Sequence, residues 1–468
     1  MKLAHTLTTT LLIVFALGAL GQSRATDVTI DARTVYQRMD GFGSSARVFD
    51  DPHVFENFNP ATARALTFLT AAQQDEVLDR LYVDLQLTRV RQASPDTAVN
   101  GGIEPQNDNA DPEVIDPSKF NFAWKNLDAH IEYIARVRQR GVNTWFLSPL
   151  SREKWMGVST ASDAAEYAEW LLAQALRCQM LGVALPYLSV VNEPSYSRNA
   201  MSGEFIRDVI KILGPKLRAA SLDTLFVIPD DVRSSDAAAK TQTIMADPLA
   251  RPYVGALATH LYDESITNIT KMRLLSEQYE LPLWVTEFSL ILAGSARLGN
   301  GPFDYAGLMH ELLATYNVSA VDYQWGFFGQ WESSSQLVIL NHVTTGAQSY
   351  TGYTLPKVYY VTGQYSRFIA PGARRIRADS TSGNVKVSAY VDGRRLSIVA
   401  FNSSTSVNET VPFNLAGLPT IRSIAPVRTS STENWAVLPA IAVRGATFKA
   451  TLPIMSVTTF TATLPPLR

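Results

Sequence analysis

The chain has 468 residues, with 41 Lys and Arg against 43 Asp and Glu and a formal net charge of −2. That near balance, with no long basic stripe, argues against nucleic acid and anionic membranes as partners. Cys178 is the single cysteine, which excludes an intrachain disulfide and a cysteine-based zinc site and, in an apolar helical pattern, reads as an inert buried thiol.

Residues 1–25 read as a secretory signal. The apolar run Leu11 to Leu20 is far shorter than the ~20 residues of a bilayer span, and Ser23-Arg-Ala25 places small residues where a signal peptidase reads. No later segment is apolar enough to span. The mature chain is therefore expected to be secreted, extracellular or periplasmic, and monomeric.

Residues 26–38 alternate from Val28 like a half-exposed strand and are expected to join a domain formed by the other chain end. Asp40-Gly-Phe-Gly43 follows; its glycines suggest a tight turn or a close backbone approach. From 39 to 368 helical patterns alternate with short apolar runs. The helices are expected at Ala72 to Leu81, Trp124 to Arg140, Ala164 to Leu181, Glu204 to Ala220, Ala237 to Asp247, Thr267 to Tyr279, Tyr305 to Tyr316 and Lys357 to Phe368. The runs between them are Leu87 to Val90, Thr144 to Leu147, Tyr187 to Val191, Leu225 to Ile228, Val254 to Ala258, Leu283 to Thr286 and Ala320 to Tyr323. With the segment near Gly41 they make eight strand–helix pairs, the number that closes a (β/α)8 TIM barrel of the α/β class. An open doubly wound sheet is the alternative, but no Gly-rich dinucleotide loop follows an early strand.

Residues 369–468 change texture. Short alternating runs at Val385 to Val391, Leu396 to Phe401, Thr410 to Phe413, Ala436 to Val443, Ala446 to Leu452 and Ser456 to Thr463 predict an appended antiparallel β-sandwich.

In such barrels the chemistry sits at the carboxyl ends of the strands. Two runs there end in a carboxylate, Leu188-Ser-Val-Val-Asn192-Glu193 and Leu283-Trp-Val-Thr-Glu287. A pair of carboxyl groups is what glycoside hydrolysis needs, one to protonate the leaving oxygen and one to attack or stabilise the sugar carbon. The six histidines show no paired helical spacing, so no metal is expected, and no cofactor motif is present. A Gly-x-Ser-x-Gly elbow is missing as well.

These motifs, in order, resemble glycoside hydrolase family 30, which includes glucosylceramidases, glucuronoxylanases and β-1,6-galactanases. The resemblance rests on Asp40-Gly-Phe-Gly43, Thr88 to Asp96, Phe146-Leu-Ser-Pro149 with Trp155, Asn192-Glu-Pro194, His260-Leu-Tyr262, Glu287, Tyr359 to Gly372 and Leu452 to Phe460. It implies a retaining β-glycosidase acting on a carbohydrate, with Glu193 as acid/base and Glu287 as nucleophile. Arg89 would stand beside Glu287 and Tyr262 would donate to it. Asn192 would hold the sugar 2-OH, Asp96 would grip hydroxyls, and Trp155 and Trp325 would stack on a pyranose, while Trp145, Trp170 and Trp284 belong to the core. His260 is either a ligand contact or a satisfied core histidine, and Arg89 with Asp96 could instead form a salt bridge beneath the site.

Two departures stand out. Leu150 occupies the position where glucosylceramidase-like members carry Trp, and Gly326 to Leu340 holds no Lys or Arg for an acidic side group but does hold Glu332. The expectation is a hydrolase of a β-linked glycan of hemicellulose type. The alternatives are an exo-acting glucosylceramidase- or β-glucosidase-like enzyme and a non-catalytic carbohydrate-binding barrel.

Overall fold

The computed structural model describes residues 27–49, 69–93, 95, 102–122, 127–196, 199–263, 265–289, 301–330, 336–343 and 349–465. The expected signal segment and Asp96 lie outside the described residues. Among the described residues no helix is long and apolar enough to cross a membrane.

The chain begins with β1 (Val28–Arg38) and then enters the barrel. Its strands are β2 (Gly41–Ala46), β3 (Arg89–Ala93), β4 (Thr144–Ser148), β5 (Tyr187–Ser189), β6 (Leu225–Asp231), β7 (Val254–His260), β8 (Leu283–Glu287) and β9 (Ala320–Tyr323). All eight pair in parallel in chain order, and β2 closes the ring on β9. The TIM barrel is therefore as the strand–helix count predicts.

Eight α-helices follow among the described residues: α1 (Ala71–Asp79), α2 (Asp128–Arg138), α3 (Ala161–Met180), α4 (Gly203–Ala219), α5 (Ser234–Ala246), α6 (Thr270–Tyr279), α7 (Pro302–His310) and α8 (Lys357–Ser366). α3 shows why they form where they do. Thr160 accepts from the Asp163 amide at 3.1 Å while Asp163 accepts from the Thr160 amide at 2.9 Å, a reciprocal cap. The helix then buries Ala164, Tyr167, Ala168, Leu171, Ala175 and Cys178, one face of its 3.6-residue period. Burial pushes the Cys178 thiol up to about 12, so it stays protonated and inert.

The barrel interior is filled in layers. Near its base Trp284 packs on Phe146 and Tyr187, with ring centroids at 6.3 and 5.0 Å, and donates from Nε1 to Asp40 at 2.8 Å. Above it lies a buried ion pair, Arg89 donating to both oxygens of Asp322 at 3.1 Å, with its guanidinium 4.0 Å over the Trp284 ring. Gly43 explains itself here. It sits within β2 rather than in a turn, and a Cβ on it would fall 2.3 Å from Asp322 Oδ1; the missing side chain makes room for the pair. Trp145 and Trp170 are buried as expected, at 3% and 0% exposure.

Between β9 and α8 the chain inserts a three-stranded sheet, β10 (Trp325–Gly329), β11 (Gln336–His342) and β12 (Tyr350–Thr354), where the sequence suggests only a loop. The remaining strands are β13 (Arg374–Ser380), β14 (Val385–Asp392), β15 (Arg395–Asn402), β16 (Glu409–Ala416), β17 (Ser423–Thr429), β18 (Ala436–Val437), β19 (Ile441–Ala442), β20 (Thr447–Leu452) and β21 (Ser456–Thr463). With β1 they form a ten-stranded sheet in the order β18-β17-β21-β15-β14-β13-β1-β16-β20, β19 adding to β17. Its pairs are antiparallel except β1 with β16, which run parallel. The sheet folds back on itself: Phe413 of β16 and Phe460 of β21 are far apart in strand order, yet their rings lie 5.1 Å apart with Phe448 between the two edges at 4.6 and 5.3 Å. The result is the two-layered packing of a sandwich.

Helix α8 fastens the barrel to this sheet. Thr459 donates to the Gln364 carbonyl at 2.7 Å, Gln364 donates to Thr429 at 2.9 Å, and Trp435 Nε1 donates to the Tyr360 carbonyl at 2.7 Å. Gly363 lies against the Trp435 ring so closely that a Cβ would come within 2.2 Å of it. Gly363→Leu is expected to lower stability in urea by about 1–3 kcal/mol through overpacking, and a Trp435→Ala background should remove most of that loss.

Candidate active site

Each strand end brings one functional group to the same rim. β8 ends on Glu287 itself. Beyond β5 the chain turns at Glu193, whose φ of 51° is left-handed for a residue with a side chain. The turn is fixed on both sides: the Glu193 amide donates to the Asp230 carbonyl at 2.9 Å, and the Asn192 amide donates to the Pro149 carbonyl at 2.9 Å. Asp230, near the end of β6, is itself left-handed with φ 62°. Two such positions cost on the order of 1–3 kcal/mol each and persist where the surroundings over-determine them.

The two glutamates meet. One carboxyl oxygen from each, together with one imidazole nitrogen of His260, all lie within 4.8 Å of one another. His260 Nδ1 stands 3.0 Å from Glu193 Oε1 and 4.0 Å from Glu287 Oε1, while its Nε2 is 3.3 Å from Asp230 Oδ1. Glu287 accepts from Arg91 Nη1 at 2.9 Å on one oxygen and from the Tyr262 hydroxyl at 2.9 Å on the other.

Arg91 is the hub of this network. It is fully buried and also donates to Asn192 Oδ1, to Ser148 at 3.2 Å, to Ser45 at 3.3 Å and to Asp230 Oδ2 at 3.3 Å. Asp230 in turn accepts from Ser148 and from Thr286, each at 2.6 Å.

The electrostatics follow from burial set against this pairing. Burial disfavours the Arg91 cation, but Asp230, Glu287 and Glu193 reverse that and raise its pKa. Asp230 is likewise penalised by burial, yet Arg91 and His260 hold it well below the usual carboxylate range. His260 is pushed down by burial and lifted by the charges of Glu287 and Asp230 and by its bond to Glu193, to about 10. Burial raises Glu193, while the hydrogen bond and charge of His260 and the charge of Arg91 bring it below its ordinary value. Tyr262 is driven well above its ordinary value by burial and by Glu287, so it stays a phenol and a donor. Glu193, His260 and Glu287 are also spaced as three metal ligands could be. Each of the three already has protein partners, Glu287 the Arg91 guanidinium at 2.9 Å and His260 the Asp230 carboxylate at 3.3 Å, so the set reads as an acid–base network.

The structure brings Glu193, Glu287, Asn192, His260 and Tyr262 together and separates Arg89 from them. Arg89 serves Asp322 inside the barrel, and Arg91 is the guanidinium beside Glu287. The reason is register. Residues two apart on a strand point the same way, so both arginines enter the barrel, but Arg91 lies roughly 6–7 Å nearer the carboxyl rim. Asp96 falls outside the described residues. Trp325 is only 7% exposed, with the Arg47 guanidinium 5.4 Å over its ring and Phe328 stacked at 5.0 Å. Trp155 donates to the Glu104 carbonyl at 2.6 Å and packs against the core. The Trp325 ring is thus closed in, while Trp155 stays half-buried.

No family model matches the chain. Glucuronoxylanase XynC of Bacillus subtilis (strain 168) is 25% identical over 300 residues, covering 63% of this chain and 65% of that protein. A putative glucosylceramidase 4 of Caenorhabditis elegans is 23% identical over 445 residues, covering 84% and 79%. The matched region is thus just under two thirds of the first relative's length. Among solved structures, a glycoside hydrolase family 30 subfamily 8 xylanase from Clostridium acetobutylicum superposes with a TM-score of 0.69 at 24% identity, over 93% of this chain and 99% of that one. The catalytic domain of a family 30 xylanase C from Talaromyces cellulolyticus gives 0.72 at 21% identity, over 93% and 99%. The resemblance to glycoside hydrolase family 30 holds. The superposition takes in 93% of this chain, more than the barrel or the sheet domain alone could supply.

Sequence reading within the family 30 frame misses Asp230, Ser45, Thr286 and the part played by Arg91. Arg91 carries a signal in its i+2 spacing from Arg89, and Asp230 and Thr286 in their places at the ends of expected strands. Arg91→Lys, which cannot span five acceptors, is expected to lower turnover at least about 100-fold in a folded protein. Arg89→Lys should instead cost about 1–3 kcal/mol of stability with little loss of turnover. Steady-state kinetics with parallel urea melts separate the two.

Proposed function

We propose that the protein is a secreted, retaining β-glycoside hydrolase that cleaves a β-linked glycan of hemicellulose type by double displacement. The observation that carries this reading is the approach of the Glu193 and Glu287 oxygens to within 4.8 Å. Retaining sites hold their carboxyl groups about 5–5.5 Å apart, whereas inverting ones leave roughly 6.5–9.5 Å for a water.

In the first step Glu287 attacks the anomeric carbon as Glu193 protonates the departing oxygen. The proton comes from the Glu193–His260 pair, whose atoms are 3.0 Å apart. As the ester forms, the Glu287 charge disappears, and with it the largest influence holding the His260 proton. The imidazole stays neutral, and Glu193 remains an anion able to take a proton from water. When water releases the sugar, the Glu287 charge returns and the pair is reprotonated. Nucleophile charge and shared proton leave together and come back together, so the buried cluster keeps a constant net charge through both steps. Asn192, its oxygen held by Arg91, has its NH2 left to donate to the sugar 2-OH.

Glu287→Ala should abolish turnover of aryl β-glycosides by at least about 10⁴-fold, and a 2-fluoro glycoside should label Glu287 in the wild type; unchanged turnover in the variant would sink the proposal. Glu193→Ala should slow poor leaving groups by about 10²–10⁴-fold and activated ones much less. His260 retains its proton to about pH 10, so the alkaline limb of kcat/KM lies high in the wild type. In His260→Asn only a carboxyl proton remains, and the limb should move to lower pH.

A further inference from the structure

Outside the barrel, the sheet domain carries a cavity of about 570 Å³ that the catalytic reading does not use. It lies across three neighbouring strands, β15, β21 and β17, with Ile421 and Leu464 also in its lining. Three arginines line it, Arg394, Arg395 and Arg422, and among the described residues none of its lining is acidic. In a chain with 43 acids to 41 basic residues this is a local excess of one sign. Asp392, which faces Arg395 across the β14–β15 hairpin, is not part of the lining.

The arrangement is set by strand register. Arg395 pairs with Thr463 on β21, and Thr461 on β21 pairs with Ala425 on β17. Positions on β15 and β17 are therefore two inter-strand spacings apart, roughly 10 Å. That width admits one extended polymer chain. All three arginines are exposed, and Arg394 is anchored by donating from Nε to the Leu464 carbonyl at 3.0 Å.

We propose that this groove binds a carboxylate-bearing glycan, away from the catalytic cleft. Guanidinium groups take carboxylates in a forked, bidentate fashion, and Ser423, Thr461 and Thr463 add hydroxyls for the sugar's own. Among the described residues no aromatic ring lines the cavity, so charge, not stacking on a neutral pyranose, supplies the selectivity. The choice of a glycan among carboxylated polymers rests on the glycosidase reading. Holding a polymer at a second point raises its effective concentration at the barrel mouth without any change in the cleft.

Affinity electrophoresis in native gels containing polygalacturonate, dextran sulfate or an unsubstituted β-glucan tests the assignment. At low salt the wild type should be retarded by polygalacturonate and not by the neutral glucan, with the retardation fading as salt screens exposed charge. The Arg395→Ala/Arg422→Ala double variant, folded by its melting temperature, should bind polygalacturonate at least tenfold more weakly. Glu287→Ala should be retarded as the wild type is, so loss of catalysis and loss of this site read out separately. Three results would overturn the proposal: an unretarded wild type, full retardation of the double variant, or retardation by dextran sulfate equal to that by polygalacturonate.

Discussion

A single buried guanidinium governs the upper barrel. Arg91 has no contact with water, so its charge is tolerable only because Asp230 and Glu287 stand within 3.3 and 2.9 Å. The dependence is mutual, since Asp230 is also fully buried and would be costly without Arg91 and His260. Strands β3, β6, β7 and β8 must therefore end at a common level, or one of these charges is left alone in a low dielectric. The same constraint that orders the rim also brings the two glutamates to working distance.

Beneath that rim the interior changes character by layers, from aromatic packing around Trp284, through the Arg89–Asp322 pair, to the polar cluster under the mouth. In each of the two charged layers the guanidinium finds its counter-ion within the layer. Gly43 shows how closely the layers are fitted, because even one methyl group there would meet the middle ion pair. The catalytic groups rest on a floor with little freedom to shift, which is what pre-organised charge stabilisation requires.

Much of this was readable in the sequence. The barrel strands are short, apolar and separated by helices with a clear 3.6-residue face, and both glutamates end such runs. What escaped has identifiable causes. β13 reads Arg-Arg-Ile-Arg-Ala-Asp-Ser and looks like surface although Arg375 and Ile376, on opposite faces, are both buried, and β17 carries Pro426 in its interior. The run expected at Ala436 to Val443 is broken by Pro439 into two-residue pieces, β18 and β19. Arg89 and Arg91 are alike in a linear reading; only the depth of each along the barrel axis separates them. Asp230 closes the run that begins at Leu225, but as one of two adjacent aspartates at that strand end nothing in the sequence tells which of them turns inward.

β1 pairs antiparallel with β13 and parallel with β16, so this strand sits between two that are translated some 350 and 380 positions later. On the ribosome that strand must wait, unpaired on both edges, until nearly the whole polypeptide has emerged. The barrel can close early, but the molecule becomes a locked whole only at the end of synthesis, and a nascent chain stalled before β13 would expose an orphan strand for a chaperone to shelter.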